Sequence, residues 1–454
     1  MDTHIQRWRP SRPWRLLRAL PPILLLAGTT WGREAAAAAA PPAIDTGDTV
    51  WVLLAAALVM FMTPGLAFFY GGLVRKKNIL SVLMQCFVCI CLVSVIWVVC
   101  GYSLAFGPDL GHVIGNLDWM WLKQVGTAPA AYAPTIPHRL FAVYQMMFAI
   151  ITPGLIIGAF AERIRFSAFC LFTGLWSLVV YCPVAHWLWG AGGFMGLNGG
   201  FGAVDFAGGA VVHINAGMAA LAAVVMTGKR QGFPDSISPP HNLPLAALGA
   251  GMLWFGWYGF NAGSALAANG VAVNAFLATH LAGAVAGLAW CLLDWLKFGK
   301  PTTLGMITGA VAGLAAVTPA SGFVDIDGAF WIGAGSGVIC WFSVTAFKAK
   351  YQYDDTLDAF GVHGIGGIWG TLAVGLWATK GVNPAGVDGL FHGNPLQLWL
   401  QAKAVGITMA WAFAASLALF KIVDFILPLR VGERDERIGL DLTQHREAGY
   451  TVVD

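Results

Sequence analysis

Long apolar runs, each closed by a short polar or glycine-rich break, follow one another along almost the whole chain after residue 45. A helix needs about 20 predominantly apolar residues to cross roughly 30 Å of hydrocarbon. Runs of that length fall at about 48–72, 79–105, 139–160, 167–188, 204–227, 243–265, 273–296, 302–319, 329–347, 356–378 and 399–427. The pattern therefore predicts an all-α polytopic membrane protein with eleven transmembrane helices. An odd number of spans puts the two ends of the spanning region on opposite sides.

The polar breaks carry their cations unevenly. One alternate set holds eleven, from Arg75, Lys76 and Lys77 through Arg163, Arg165, Lys229 and Arg230 to Lys297, Lys300, Lys348 and Lys350. The other set holds only Lys123, Arg139, Lys380 and Lys403. Cytoplasmic loops carry the excess of Lys and Arg, so the first set is expected inside, the mature N-terminus outside and the C-terminal tail in the cytoplasm. The expected location is the cell inner (plasma) membrane.

An internal echo accompanies the spans. "ALVMFMTPGLAFFYGG" in the first and "LGAGMLWFGWYGFNAGS" in the sixth share an aromatic–glycine cadence five spans apart. Because five is odd, such a repeat inverts its topology. The expectation is two inverted five-helix repeats plus an eleventh helix, with the site near the midplane where the repeats meet.

Composition agrees with this class. Over 454 residues, 57% are hydrophobic and 11% charged, where a soluble domain has roughly a quarter charged. The net charge of +3 is too small to point to nucleic acid. The eight cysteines fall mostly inside apolar runs without zinc-like or secreted-disulfide spacing, and read as small packing residues. Before the first span, Arg7, Arg9, Arg12, Arg15 and Arg18 precede "ALPPILLLAG" and then "REAAAAAAPPA". That order is the basic, apolar and small-residue sequence of a signal peptide, with an uncleaved extension as the alternative. The expected organisation is a signal peptide over 1–40, a membrane domain over 41–430 and a cytoplasmic tail over 431–454.

Among the histidines inside apolar runs, two stand in matching places: His213 in "DFAGGAVVHINAG" and His363 in "DAFGVHGIGGIWG". They occupy the fifth and tenth spans, equivalent positions of the expected repeats, each roughly 12–15 Å along its helix at 1.5 Å per residue. Ionisable groups within membrane helices are costly and mark pathways. A lone imidazole would read equally well as a packed, hydrogen-bonded side chain; two at symmetric depth among small residues read as a pore. Asp205 and Asp358 precede them as candidate helix caps. The remaining lining is aromatic and apolar, without a carboxylate ring. Desolvating a bare cation there would cost on the order of tens of kcal/mol, a neutral amine far less. A solute that sheds and regains a proton can cross where potassium cannot.

The chain also resembles a known family. "AFFYGGLVRKKN", "GYSLAFG", "AERIRFSAF", "DFAGGAVVHINAG", "GKRQGF", "PHNLP", "GWYGFNAGS", "VTPASG" and "DAFGVHGIGGIWG" are similar, in order and over about residues 45–450, to signature segments of the Amt branch of the Amt/MEP/Rh ammonium transporters. The resemblance implies a homotrimer in the lipid bilayer with a pore in each protomer and no cofactor or enzymatic activity. It implies an outer ammonium site at Phe148, Trp189 and Ser264, gate phenylalanines at Phe148 and Phe260, pore histidines at His213 and His363, and a structural acid at Asp205. It further implies a regulatory segment, Gly439, Leu440 and Asp441, packed on a neighbouring protomer, and a PII-type signalling partner at the cytoplasmic face. An aromatic cage with a hydroxyl acceptor suits a small cation; for most of the twenty tryptophans an interfacial belt is the competing reading. His280, in "LATHLAG", and His186, in "PVAHWLWG", acquire no role from the resemblance. A sensor acting through its partner, and a haem-binding electron carrier using the paired histidines, are the rival functions.

Overall fold

The computed structural model describes residues 43–235 and 239–450; the expected signal segment, 1–40, lies outside them. Among the described residues, nine helices are long and apolar enough to cross a membrane: Thr46–Leu73, Lys76–Phe106, His138–Phe160, Phe166–Trp189, Gly209–Thr227, Leu243–Ala265, Gly270–Phe298, Ile326–Tyr351 and Pro395–Ile426. The spans expected at 302–319 and 356–378 fall on shorter pieces, Thr303–Val317 and a π turn, Phe360–Gly364, that runs into helix Ile365–Trp377. At 1.5 Å per residue, the 15 residues of Thr303–Val317 extend only roughly 22 Å.

Several helices begin where a side chain supplies the acceptor that the first turn lacks. Asp45 accepts from the N–H of Asp48, Asn242 from Leu245, Asn269 from Ala272, Thr302 from Gly305 and Asp325 from Gly328. The helix faces turned outward are apolar, with Leu248, Phe255, Val273, Leu288 and Leu296 all exposed. A hydrocarbon surrounding satisfies such faces without any protein partner.

Helices Thr46–Leu73 and Leu243–Ala262, which carry the two echoing sequences, make the most extensive helix–helix contact in the molecule. Small residues allow it: a Cβ on Gly249 would lie 2.1 Å from the backbone nitrogen of Phe69. Between the second and third long helices, the chain forms two small antiparallel hairpins, Asp109–Leu110 with Ile114–Gly115 and Pro129–Ala130 with Ala133–Pro137.

Three of the cations assigned by sequence to one side, Arg75, Arg163 and Arg230, meet at one end of the bundle. Arg230 pairs with Asp354 at 2.7 Å and with Glu162 at 3.3 Å, and Arg75 pairs with Glu162 at 3.0 Å. Arg163 is wholly enclosed; it donates to the carbonyls of Ala159 and Asp354 and to the Thr356 hydroxyl. Burial alone would raise the Glu162 carboxyl, but the guanidiniums of Arg75 and Arg230 hold it below the ordinary range.

The tail docks beside this network. Leu440 N–H donates to Asn78 Oδ1, and Asp441 Oδ1 accepts from Ser81 N–H, both at 2.8 Å. Lys77 Nζ donates to the Arg437 carbonyl. The Gly439–Asp441 segment thus also rests on residues 77–81 of its own chain.

Candidate functional site

The two histidine helices start alike. Each histidine lies in a π turn, Gly209–Ile214 or Phe360–Gly364, that continues as α-helix. In the first, the Asp205 carboxylate accepts four backbone N–H groups: Gly208 and Gly209 at 2.8 and 2.6 Å, then Ala210 and Val211 at 2.8 and 3.0 Å. In the second, the acceptor is Asp355, which takes Ala359 N–H at 3.1 Å and Phe360 N–H at 2.8 Å. Asp358, the cap expected from sequence, instead has φ 60° and pairs with Lys348. Sequence order misled because both acids precede the helix and only backbone geometry separates them.

The helices then cross where side chains are missing. A Cβ on Gly217 would stand 2.2 Å from the Gly364 Cα, and one on Gly367 would stand 2.9 Å from the His213 Cβ. This approach brings the imidazoles to 5.3 Å between centroids and within 12° of parallel. His213 also faces Trp257 at 5.6 Å and Phe260 at 6.1 Å. Both ring nitrogens of His213 and Nδ1 of His363 are buried without a protein hydrogen-bond partner. Buried polar atoms normally find partners, so these are left to bond a small polar molecule.

Above His213 sits an aromatic group. Phe148 and Phe260 lie 4.3 Å apart with planes at 41°, and Phe148 meets Trp189 edge-on at 5.9 Å. The Trp189 indole N–H donates to the Asp205 carbonyl at 2.7 Å. Ser264 Oγ donates to the Phe260 carbonyl at 2.9 Å and lies 3.2 Å from the Tyr144 hydroxyl.

Three cavities line up along these residues. A wide one of about 670 Å³ is bordered by Phe148, Trp189, Asp205 and Ser264. A chamber of about 10 Å³ is bordered by Phe260, Trp257, His213 and His363. A third of about 280 Å³ is bordered by His363, Asp358, Lys348 and Arg230. The phenylalanine pair thus separates the first cavity from the second, and His363 belongs to both the second and the third.

The structure joins Trp189, Phe148, Phe260, Ser264, His213 and His363 in one series of contacts, with Asp205 bordering the wide cavity. Gly439, Leu440 and Asp441 are elsewhere, on the tail. Sequence reasoning missed Trp257, one helical turn before Phe260, whose N–H donates to Thr318 Oγ1 at 2.9 Å; the three-residue spacing was the available signal. His280 lies on the other side of that helix, with Nδ1 2.8 Å from the Tyr258 hydroxyl.

A multi-pass bundle with interior cavities bordered by aromatic rings and two imidazoles is an architecture suited to membrane transport. The profile of the Ammonium Transporter Family matches residues 50–450. A Bacillus subtilis protein named "Ammonium transporter" is 50% identical, over 90% of this chain and 99% of its own. The solved structure of Mep2 from Candida albicans is 37% identical with a TM-score of 0.81, covering 86% of this chain and 87% of that one. A structure described as a "Sensor Amt Protein" is 30% identical with a TM-score of 0.80, covering 88% and 98% respectively. The chain belongs to the Ammonium Transporter Family and is an Amt-type ammonium transporter.

Proposed function

We propose that this transporter collects ammonium at Phe148, Trp189 and Ser264, removes its proton at or below the Phe148–Phe260 pair, and passes ammonia along His213 and His363 with net transfer of charge. The observation that carries this reading is the pair of near-parallel imidazoles with three unpartnered nitrogens beside a chamber of about 10 Å³. Such a space has room for about one water-sized molecule and none for a hydration shell. Neutral imidazole offers one donor and one acceptor, which suits ammonia.

The arrangement in the membrane follows the same reading. The nine long helices, with Thr303–Val317 and the Phe360–Trp377 segment, make up eleven spans in two inverted repeats and a last helix. The mature N-terminus is outside and the tail cytoplasmic, in the inner membrane. The Arg75–Arg163–Arg230 cluster then marks the inner end, and the Trp189 mouth faces outward. Three protomers form the unit, and a PII-type protein acts at the basic face beside the tail.

Currents on a solid-supported membrane after an ammonium pulse test the charge-carrying cycle. A current with ammonium and none with potassium is expected; ammonia flux without current would overturn it. Ser264→Ala should raise the half-saturating ammonium concentration while the saturating current stays unchanged. An unchanged half-saturation would remove Ser264 from the mouth site.

Similarity to the sensor structure gives a second reading, in which ammonium occupancy is reported to a partner through the tail. Growth of an ammonium-uptake-deficient yeast strain expressing this chain separates the two: rescue supports transport, and failure with correct membrane insertion supports sensing.

A further inference from the structure

His186 is wholly buried and stands one turn before Trp189, the last residue of its helix. Its Nδ1 is 3.0 Å from the Ala105 carbonyl oxygen and its Nε2 is 3.0 Å from Asp109 Oδ1. Both Asp109 oxygens also accept from His112 N–H, at 2.9 and 3.1 Å, so this side chain acts as an acceptor throughout. The ring therefore bridges two oxygen atoms, one on Ala105 and one on Asp109, through its two nitrogens.

The chain leaving Trp189 is wrapped on this pair. Gly190 N–H donates to the His186 carbonyl at 2.9 Å, and a Cβ on Gly193 would fall 2.0 Å from that same oxygen. Gly192 has φ 90°, and a Cβ there would lie 2.8 Å from the Asp109 Cβ. His112 Nδ1 lies 2.6 Å from the Gly192 carbonyl oxygen. Without this anchorage the indole would keep its bond to the Asp205 carbonyl and its edge contact with Phe148.

We infer that His186, clamped between Asp109 and Ala105, is a positioning residue that fixes Trp189 at the mouth. The inference rests on the reading of Phe148, Trp189 and Ser264 as the ammonium-collecting site. The clamp ties the end of the helix to Ala105 and Asp109 through both ring nitrogens, and the turn after Trp189 loosens when either contact is lost.

Ammonium-pulse currents of the full-length protein in liposomes, measured against ammonium-ion concentration at one pH, test the inference. His186→Gln should raise half-saturation about three- to tenfold, the scale of one lost hydrogen-bonded tether, with the saturating current per folded protein unchanged. Asp109→Ala should raise half-saturation likewise, because it removes the acceptor facing Nε2. Unchanged half-saturation in either variant would overturn the inference. A fall in saturating current matching a loss of folded protein would reduce His186 to packing. Ser264→Ala in the same assay separates the two levels. If it raises half-saturation and His186→Gln does not, only the positioning role fails; if neither does, the mouth site itself is misplaced.

Discussion

Trp189 and Asp205 are joined by a 2.7 Å hydrogen bond from indole N–H to backbone carbonyl, while the Asp205 side chain holds four N–H groups at the head of the His213 helix. One residue therefore sets the position of a mouth aromatic through its main chain and of a chamber imidazole through its carboxylate. Asp205→Asn keeps the shape but turns two N–H donors toward backbone donors. Hydrogen bonds to charged groups contribute about 1.5–3 kcal/mol each, so loss of conduction and a clearly lower thermal unfolding temperature in detergent are expected together. Conduction surviving at the parental level would separate Asp205 from the pore.

The near-parallel imidazoles make a distinct prediction. In a His213→Ala, His363→Ala double variant, the chamber gains volume and loses its donor and acceptor groups. Selective ammonium conduction should disappear, or potassium should leak, as read from liposome fluxes with each ion. Unchanged flux and selectivity would refute the relay.

Acid should weaken the basic end of the bundle. Glu162 is held below its ordinary 4.5 by Arg75 and Arg230 against the opposing effect of burial. A carboxylate with a depressed folded-state pKa stabilises above its unfolded pKa, and that contribution is lost as pH falls through the folded value. Glu162→Gln should thus cost about 3 kcal/mol at neutral pH, the scale for breaking a buried pair. The gap from the parent protein should close as pH drops below about 4. Thermal unfolding of both proteins across that range is the measurement; a gap independent of pH would show that packing, not charge, sets the loss.

The tail offers a backbone test. Gly439 has φ 116°, and a Cβ there would stand 2.6 Å from the Lys77 carbonyl oxygen. Residues forced into this region cost about 1–3 kcal/mol. Gly439→Ala should release residues 439–446 from Asn78 and Ser81 and expose the tail to limited proteolysis. Equal cleavage rates would contradict the docking seen here.

The apolar runs made the helices legible from sequence, because lipid demands long uninterrupted hydrophobicity and tolerates cations only in the breaks. The His213–His363 pair was legible from its matching places in the fifth and tenth runs, where ionisable groups are costly. What sequence hid was local backbone geometry. The choice of Asp355 over Asp358 as cap turns on a left-handed residue at position 358, and the tail's seat turns on a hydrogen bond between residues 78 and 440. Trp257 was hidden by number, as one of twenty tryptophans, most of which suit an interface.

On the proposed route, a chamber of about 10 Å³ between Phe260 and His363 also fixes the order of traffic. Molecules there move in single file and cannot overtake. Isotopically labelled and unlabelled ammonia supplied from opposite sides must take turns, so tracer exchange will run slower than net flux under a gradient.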